Sequence, residues 1–197
     1  MSNNKNVPIN LSSLSGASSG TPPPTGPKGM TPRPGQTLCG DIDMRIDRNG
    51  TWFHKGSPIG RKELVRLFAT VLRRDDDGDY WLITPAEMAR ITVEDAPFMA
   101  VELTVTGDGH KQILSLRTNL DAMVTVDETH PIRVDMDSDT FEPSPYVVLG
   151  GGVEAKITRA VYYELVVLGV EKNHSDGLLG VWSSGEFFAL GHLEGKA

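Results

Sequence analysis

The side chains best suited to chemistry in this 197-residue chain are cationic and aromatic. Arg117 stands in "LSLRTNLD", beside Thr118 and Asn119 at a strand end. A guanidinium there can fork onto a carboxylate or a phosphate. Arg61 opens one predicted helix and Arg159 a second, and helix N-termini favour anions. Trp52 offers a stacking face, with His54 and Lys55 closing the same strand. Trp52, His54, Lys55, Arg61, Arg117, Asn119 and Arg159 are therefore read as contacts for a small anionic, nucleotide-like molecule. The plainer reading is that these arginines are solvated or pair with Asp95, Glu63 or Glu154.

Other chemistries fail on spacing. "RRDDDGD" resembles the start of a calcium loop, but counting from Asp75 the sixth residue is Tyr80 and the twelfth is Ala86. Gly and Glu are required there, so the run reads as a solvated turn. "GGG" at 150–152 has no following Gly-Lys-Ser/Thr and reads as a hairpin turn. His54, His110, His130, His174 and His192 are scattered and have no cysteine partner nearby, so no metal set and no cofactor is implied. Nothing around Cys39 suggests an activated thiol. An enzyme reading rests on His54 with Asp43 or Asp47 as a general acid/base set. It is the weakest, because no nucleophile or metal accompanies them.

The elements that must position these residues follow from periodicity. "MRID", "RNG" and "TWFH" read as a hairpin around an Asn-Gly turn. A helix is predicted over 60–73, with Leu64, Leu67, Phe68, Val71 and Leu72 on one face. "YWLIT" follows as a buried strand. Residues 145–191 repeat the order: "PYVVL" and "VEAK" as strands, "ITRAVYYELVVLG" as a helix, then "LLGVW" as a strand. In that helix Ile157, Val161, Leu165 and Leu168 form one stripe. Residues 44–84 and 145–191 are thus expected to be related motifs. "PFMAVELTVT" with "KQILSLRT", and "GVWS" with "EFFALG", add hairpins. The fold class is α+β, with two related hairpin–helix–strand motifs on largely antiparallel sheet. The domains are expected at 39–96 and 97–197, behind a Ser/Gly/Pro-rich tail at 1–38 that is read as flexible.

The totals narrow the function classes. Net charge is −7, and the first 38 residues carry Lys5, Lys28 and Arg33 with no acid, so the body stands at −7 − 3 = −10. This excludes a general DNA-binding protein, which needs a basic face. A single cysteine forbids an internal disulfide and suggests a reducing compartment. No signal peptide is apparent, and no run approaches the ~20 apolar residues of a membrane span. The expected location is cytoplasmic.

"IDRNGTWFHKGSPIGRKELVRLF", "YWLITPAEM", "VEDAPF", "RTN" and "EAKITRAVYYEL" together resemble the bacterial domain family DUF1285, from about residue 41 to 190. That resemblance implies two related α+β motifs, the C-terminal part superficially pleckstrin-homology-like. It also implies a ligand of nucleotide or nucleic-acid origin in a cleft between the two parts, with a role in signalling. No activity is established for the family. The expected function is a non-catalytic ligand-binding module. The alternative is a protein-interaction domain that offers an edge such as "EFFALG" to a partner strand.

Overall fold

Alternation sets the centre of the first sheet. Along β1 (Thr37–Ile46), Ile42, Met44 and Ile46 are buried while Asp41 and Asp43 are exposed, the period-2 pattern of a strand with one wet face. The computed structural model describes residues 9–14, 26–171 and 177–192. These fall into two units. The first holds the described residues up to 46 together with 51–94, and the second holds 47–50 and those from 95 onward.

In the first unit β1 is followed by β2 (Trp52–His54), β3 (Ser57–Pro58), α1 (Lys62–Thr70), β4 (Leu72–Arg74), β5 (Tyr80–Ile83) and β6 (Glu87–Val93). The strands form one six-stranded sheet in the order β3-β2-β1-β6-β5-β4. All neighbours are antiparallel except β1 with β6. Lys55 at φ 50° and Gly56 at φ 75° make the turn that pairs β2 with β3. Ser57 and Pro58 therefore run back alongside β2 as its antiparallel neighbour.

Helix α1 buries Val65 and Phe68. Phe68 stacks on Trp52 at 6.2 Å between ring centroids. The expected stripe is corrected here. The helix stops at Thr70, the Val71 N–H donates to the Phe68 carbonyl as a cap, and Leu72 reaches the core from β4. Leu67 is left 40% exposed.

The second unit begins with β7 (Phe98–Thr106), β8 (Ile113–Thr118) and β9 (Met123–Thr125), and continues with β10 (Ile132–Met136), β11 (Pro143–Val148) and β12 (Glu154–Ile157). These six form a sheet in the order β10-β11-β12-β7-β8-β9, with β12 and β7 its parallel pair. Helix α2 (Arg159–Val167) buries Val161 and Leu165, as the stripe predicts. Then β13 (Val170–Glu171), β14 (Leu178–Ser183) and β15 (Glu186–His192) form a separate antiparallel sheet. Ser183 fastens it to the larger one: its hydroxyl donates to the Val126 carbonyl at 2.6 Å and accepts the Leu114 N–H at 3.0 Å. His174 and most of the predicted "EKNHSDG" turn lie outside the described residues.

The protein is α+β, and its two large sheets share one topology. In each, two three-strand meanders join through a parallel pair between the first and the last strand, β1 with β6 and β7 with β12. The equivalent stretches are therefore 37–93 and 98–157, a correction to the expected frame of 44–84 and 145–191. The helices cause the difference. Helix α1 sits between the two meanders of the first sheet, whereas α2 follows the completed second sheet and leads into the third. Arg61 and Arg159 consequently do not hold equivalent places.

The segment read as a free tail is partly held in place. Leu11 is fully buried, the Lys28 N–H donates to Asp75 at 3.2 Å, and the Gln36 amide donates to the Thr84 carbonyl at 2.5 Å.

Candidate functional site

In the first unit the expected stacking face is core. Trp52 is 2% exposed and packed on Phe68. The β1–β2 register pairs Met44 with His54, so His54 shares the buried face. Asp43, one residue away on β1, points to the opposite side. Asp47 starts a turn, where its carboxylate accepts the Asn49 N–H at 2.9 Å. The acid/base set is thus not assembled. Among the described residues the buried Trp52 Nε1 and His54 Nε2 have no hydrogen-bond partner. Lys55 is exposed in its turn, and Arg61 is the exposed N-cap of α1, with no side-chain capping bond.

In the second unit Arg117 is already committed. Its guanidinium meets Glu102 at 2.5 Å and Asp121 at 3.0 Å. The β7–β8 register sets Glu102 opposite Arg117. Asn119 is structural. It accepts the Met99 N–H at 3.2 Å and donates to the Gly50 carbonyl at 3.4 Å. Arg159 is exposed, donates to the Tyr163 hydroxyl at 2.8 Å and lies over that ring. The acids weighed as its partners are engaged elsewhere. Asp95 takes Lys156 at 2.5 Å and the Tyr146 hydroxyl at 2.8 Å, and Glu154 takes Arg133 at 2.6 Å. Burial and the Asp95 hydrogen bond push the Tyr146 hydroxyl up to about 12.

Two cavities lined by described residues bear on anion binding. One, of about 160 Å³, lies in the second unit beside Arg159, Lys156, Tyr162 and Tyr163. Glu142 also lines it, and Lys156 is neutralised by Asp95. The other, of about 400 Å³, lies in the first unit. Its polar wall is Arg33, Arg73, Gln36 and Thr84, its apolar wall includes Met30, Ile83 and Met88, and among the described residues no carboxylate lines it. Arg73 is aimed by two backbone carbonyls, those of Leu72 at 2.6 Å and Thr70 at 3.2 Å. The Arg33 N–H is bound by the Gln36 side chain at 2.9 Å. Among the described residues neither guanidinium has a carboxylate partner. Two uncompensated guanidiniums beside thioether and aliphatic groups suit an anion that carries an apolar or planar body.

Sequence reasoning missed Arg33 and Arg73. One sits in low-complexity sequence and the other beside an acidic run. The available signal was "TPRPG", in which prolines on both sides of Arg33 restrict its backbone. Among the described residues no cluster of three His, Cys, Asp or Glu side chains could hold a metal ion. No helix among them is long and apolar enough to cross a membrane.

Two six-stranded sheets of one topology, each with a single parallel pair, define an α+β protein built from two similar domains. The DUF1285 N-terminal domain, of unknown function, matches residues 34–96, and the DUF1285 C-terminal domain matches residues 97–190. The chain belongs to the DUF1285 family. It is similar to a DUF1285 family protein of known crystal structure from Silicibacter pomeroyi DSS-3, with 44% identity over 85% of this chain and 92% of that one, at a TM-score of 0.75. It also resembles one from Shewanella baltica OS155, with 30% identity over 64% of this chain and 91% of that one, at a TM-score of 0.51. No curated protein matches.

Proposed function

We propose that the protein is a non-catalytic binding module for a small anionic, nucleotide-like molecule, and that the Arg33–Arg73 cavity is where it binds. The observation that carries this reading is a roughly 400 Å³ cavity with two guanidiniums and, among the described residues, no carboxylate on its wall, in a chain of net charge −7. Cations gathered locally against an acidic background favour one small anion over a polyanion. The signalling role and the pleckstrin-homology-like character of the C-terminal part belong to the same proposal and are supported by the family resemblance, while the proposed cytoplasmic location is supported by the single cysteine.

Thermal unfolding with mono-, di- and cyclic nucleotides, and with inorganic phosphate, tests it. A ligand at 100 times its Kd raises stability by about 2.7 kcal/mol. Arg33→Ala or Arg73→Ala removes that gain while leaving the unliganded protein folded, because both side chains are exposed. No shift with any of these anions would overturn the reading. The competing reading is a protein-interaction domain that uses β15, an edge strand of the third sheet. Partner capture by a folded protein lacking the last hairpin would sink that alternative.

A further inference from the structure

Glu87 is buried at 9% exposure in β6, and every side-chain hydrogen bond it makes among the described residues comes from one short segment. Its carboxylate accepts the backbone N–H of Leu11, the N–H of Ser12 at 3.3 Å, and the Ser12 hydroxyl. Leu11 itself is fully buried. The Leu14 N–H returns to the Leu11 carbonyl at 2.9 Å and the Ser13 N–H donates to the Asn10 side chain at 3.2 Å. These bonds shape residues 10–14 as a single tight turn. A buried carboxylate without donors is strongly unfavourable, so Glu87 depends on this segment as much as the segment depends on Glu87. Leu11 and Leu14 are the sole leucines before residue 38. The segment also lies outside the matched family domain, which begins at residue 34.

We propose that the first unit carries a docking groove for a short leucine-bearing peptide, keyed by Glu87, and that residues 10–14 are its ligand in cis. The carboxylate reads backbone N–H groups at the start of a turn, as an anion does at a helix N-terminus. The closed leucine site supplies selectivity. Covalent attachment raises the local concentration of the segment to the order of millimolar, so a weak contact is enough to keep it docked.

Amide hydrogen exchange on the full-length chain tests the proposal. The Leu11 and Ser12 amides should exchange at least about tenfold more slowly than an unstructured chain. Leu11→Asp, placed in the segment so that the sheet is untouched, should erase that protection, and Glu87→Gln should reduce it. A synthetic peptide of residues 9–14, added to the Leu11→Asp protein, should shift the Glu87 and Met88 amide resonances, while the same peptide with Asp in place of Leu11 should not. Unprotected Leu11 and Ser12 amides in the parent chain, or protection that survives Leu11→Asp, would overturn it. So would resonances that ignore both peptides.

Discussion

The Asp75 carboxylate accepts four N–H groups: those of Asp77 at 3.0 Å, Asp79 at 2.9 Å and Lys28 at 3.2 Å, and the indole N–H of Trp81 at 2.9 Å. Burial pushes this carboxyl up, but the donors of Asp79, Lys28, Trp81 and Asp77 outweigh burial and hold it below its ordinary value of 3.8. Asp75→Ala strands the N–H of Trp81, a side chain only 2% exposed, together with the turn amides. The expected loss is about 2–4 kcal/mol in urea unfolding at pH 7. Because the folded-state pKa is depressed, the carboxylate's contribution is fully present above about pH 4 and is lost as pH falls through the folded value. The stability gap between the parent protein and Asp75→Asn should therefore shrink from pH 7 toward pH 2, and a gap independent of pH would refute this account. The run "RRDDDGD" reads in sequence as a solvated turn. Its Asp76 and Asp77 are indeed exposed, but the donors that draw Asp75 inward, Lys28 and Trp81, lie outside the run.

At the level of elements, periodicity located both helices and failed on one face. In α2 the i, i+4 pair Val161 and Leu165 is buried, as read from sequence. In α1 the expected stripe extends past the helix end at Thr70 and includes Leu72, a β4 residue. That error moved the apparent buried face onto Leu67 and away from Val65. The pair Phe68 and Leu67 separates the two faces. Phe68→Ala removes the ring stacked on Trp52 and should cost about 3–5 kcal/mol. Leu67→Ala, at 40% exposure, should stay within about 1 kcal/mol. Comparable losses for both would restore the original stripe. Hairpins were legible because Asn49-Gly50 and Ser184-Gly185 mark their turns. The pairing of first with last strand was not, because β1 and β6 meet across about 50 residues with no local signal. The helices give the strongest local signal of the repeat, and they are the elements that the two halves place differently.

At the scale of the whole molecule, composition separated residues 1–38 from the body and hid their attachment to it. Ser, Gly and Pro dominate that stretch, yet contacts among the described residues tie it to the first unit, including Leu11 and Ser12 on Glu87, Lys28 on Asp75 and Asp77, and Gln36 on the Thr84 carbonyl. Each joins residues 47 or more positions apart, so no window of sequence contains both partners. Ordering a chain carries an entropic cost, so a segment that stays docked must gain more from its contacts than it loses. A chain lacking residues 1–33 keeps the matched family domains at 34–96 and 97–190, but loses Leu11, the Lys28 donor, and the Met30, Thr31 and Arg33 wall of the cavity. Its strand and helix content by far-UV circular dichroism should match that of the full chain outside the missing segment. Its unfolding free energy should fall by about 1–3 kcal/mol, and its thermal response to nucleotides should vanish with Arg33. A truncated chain as stable and as responsive as the full one would mean that the extension neither braces the first unit nor builds its cavity.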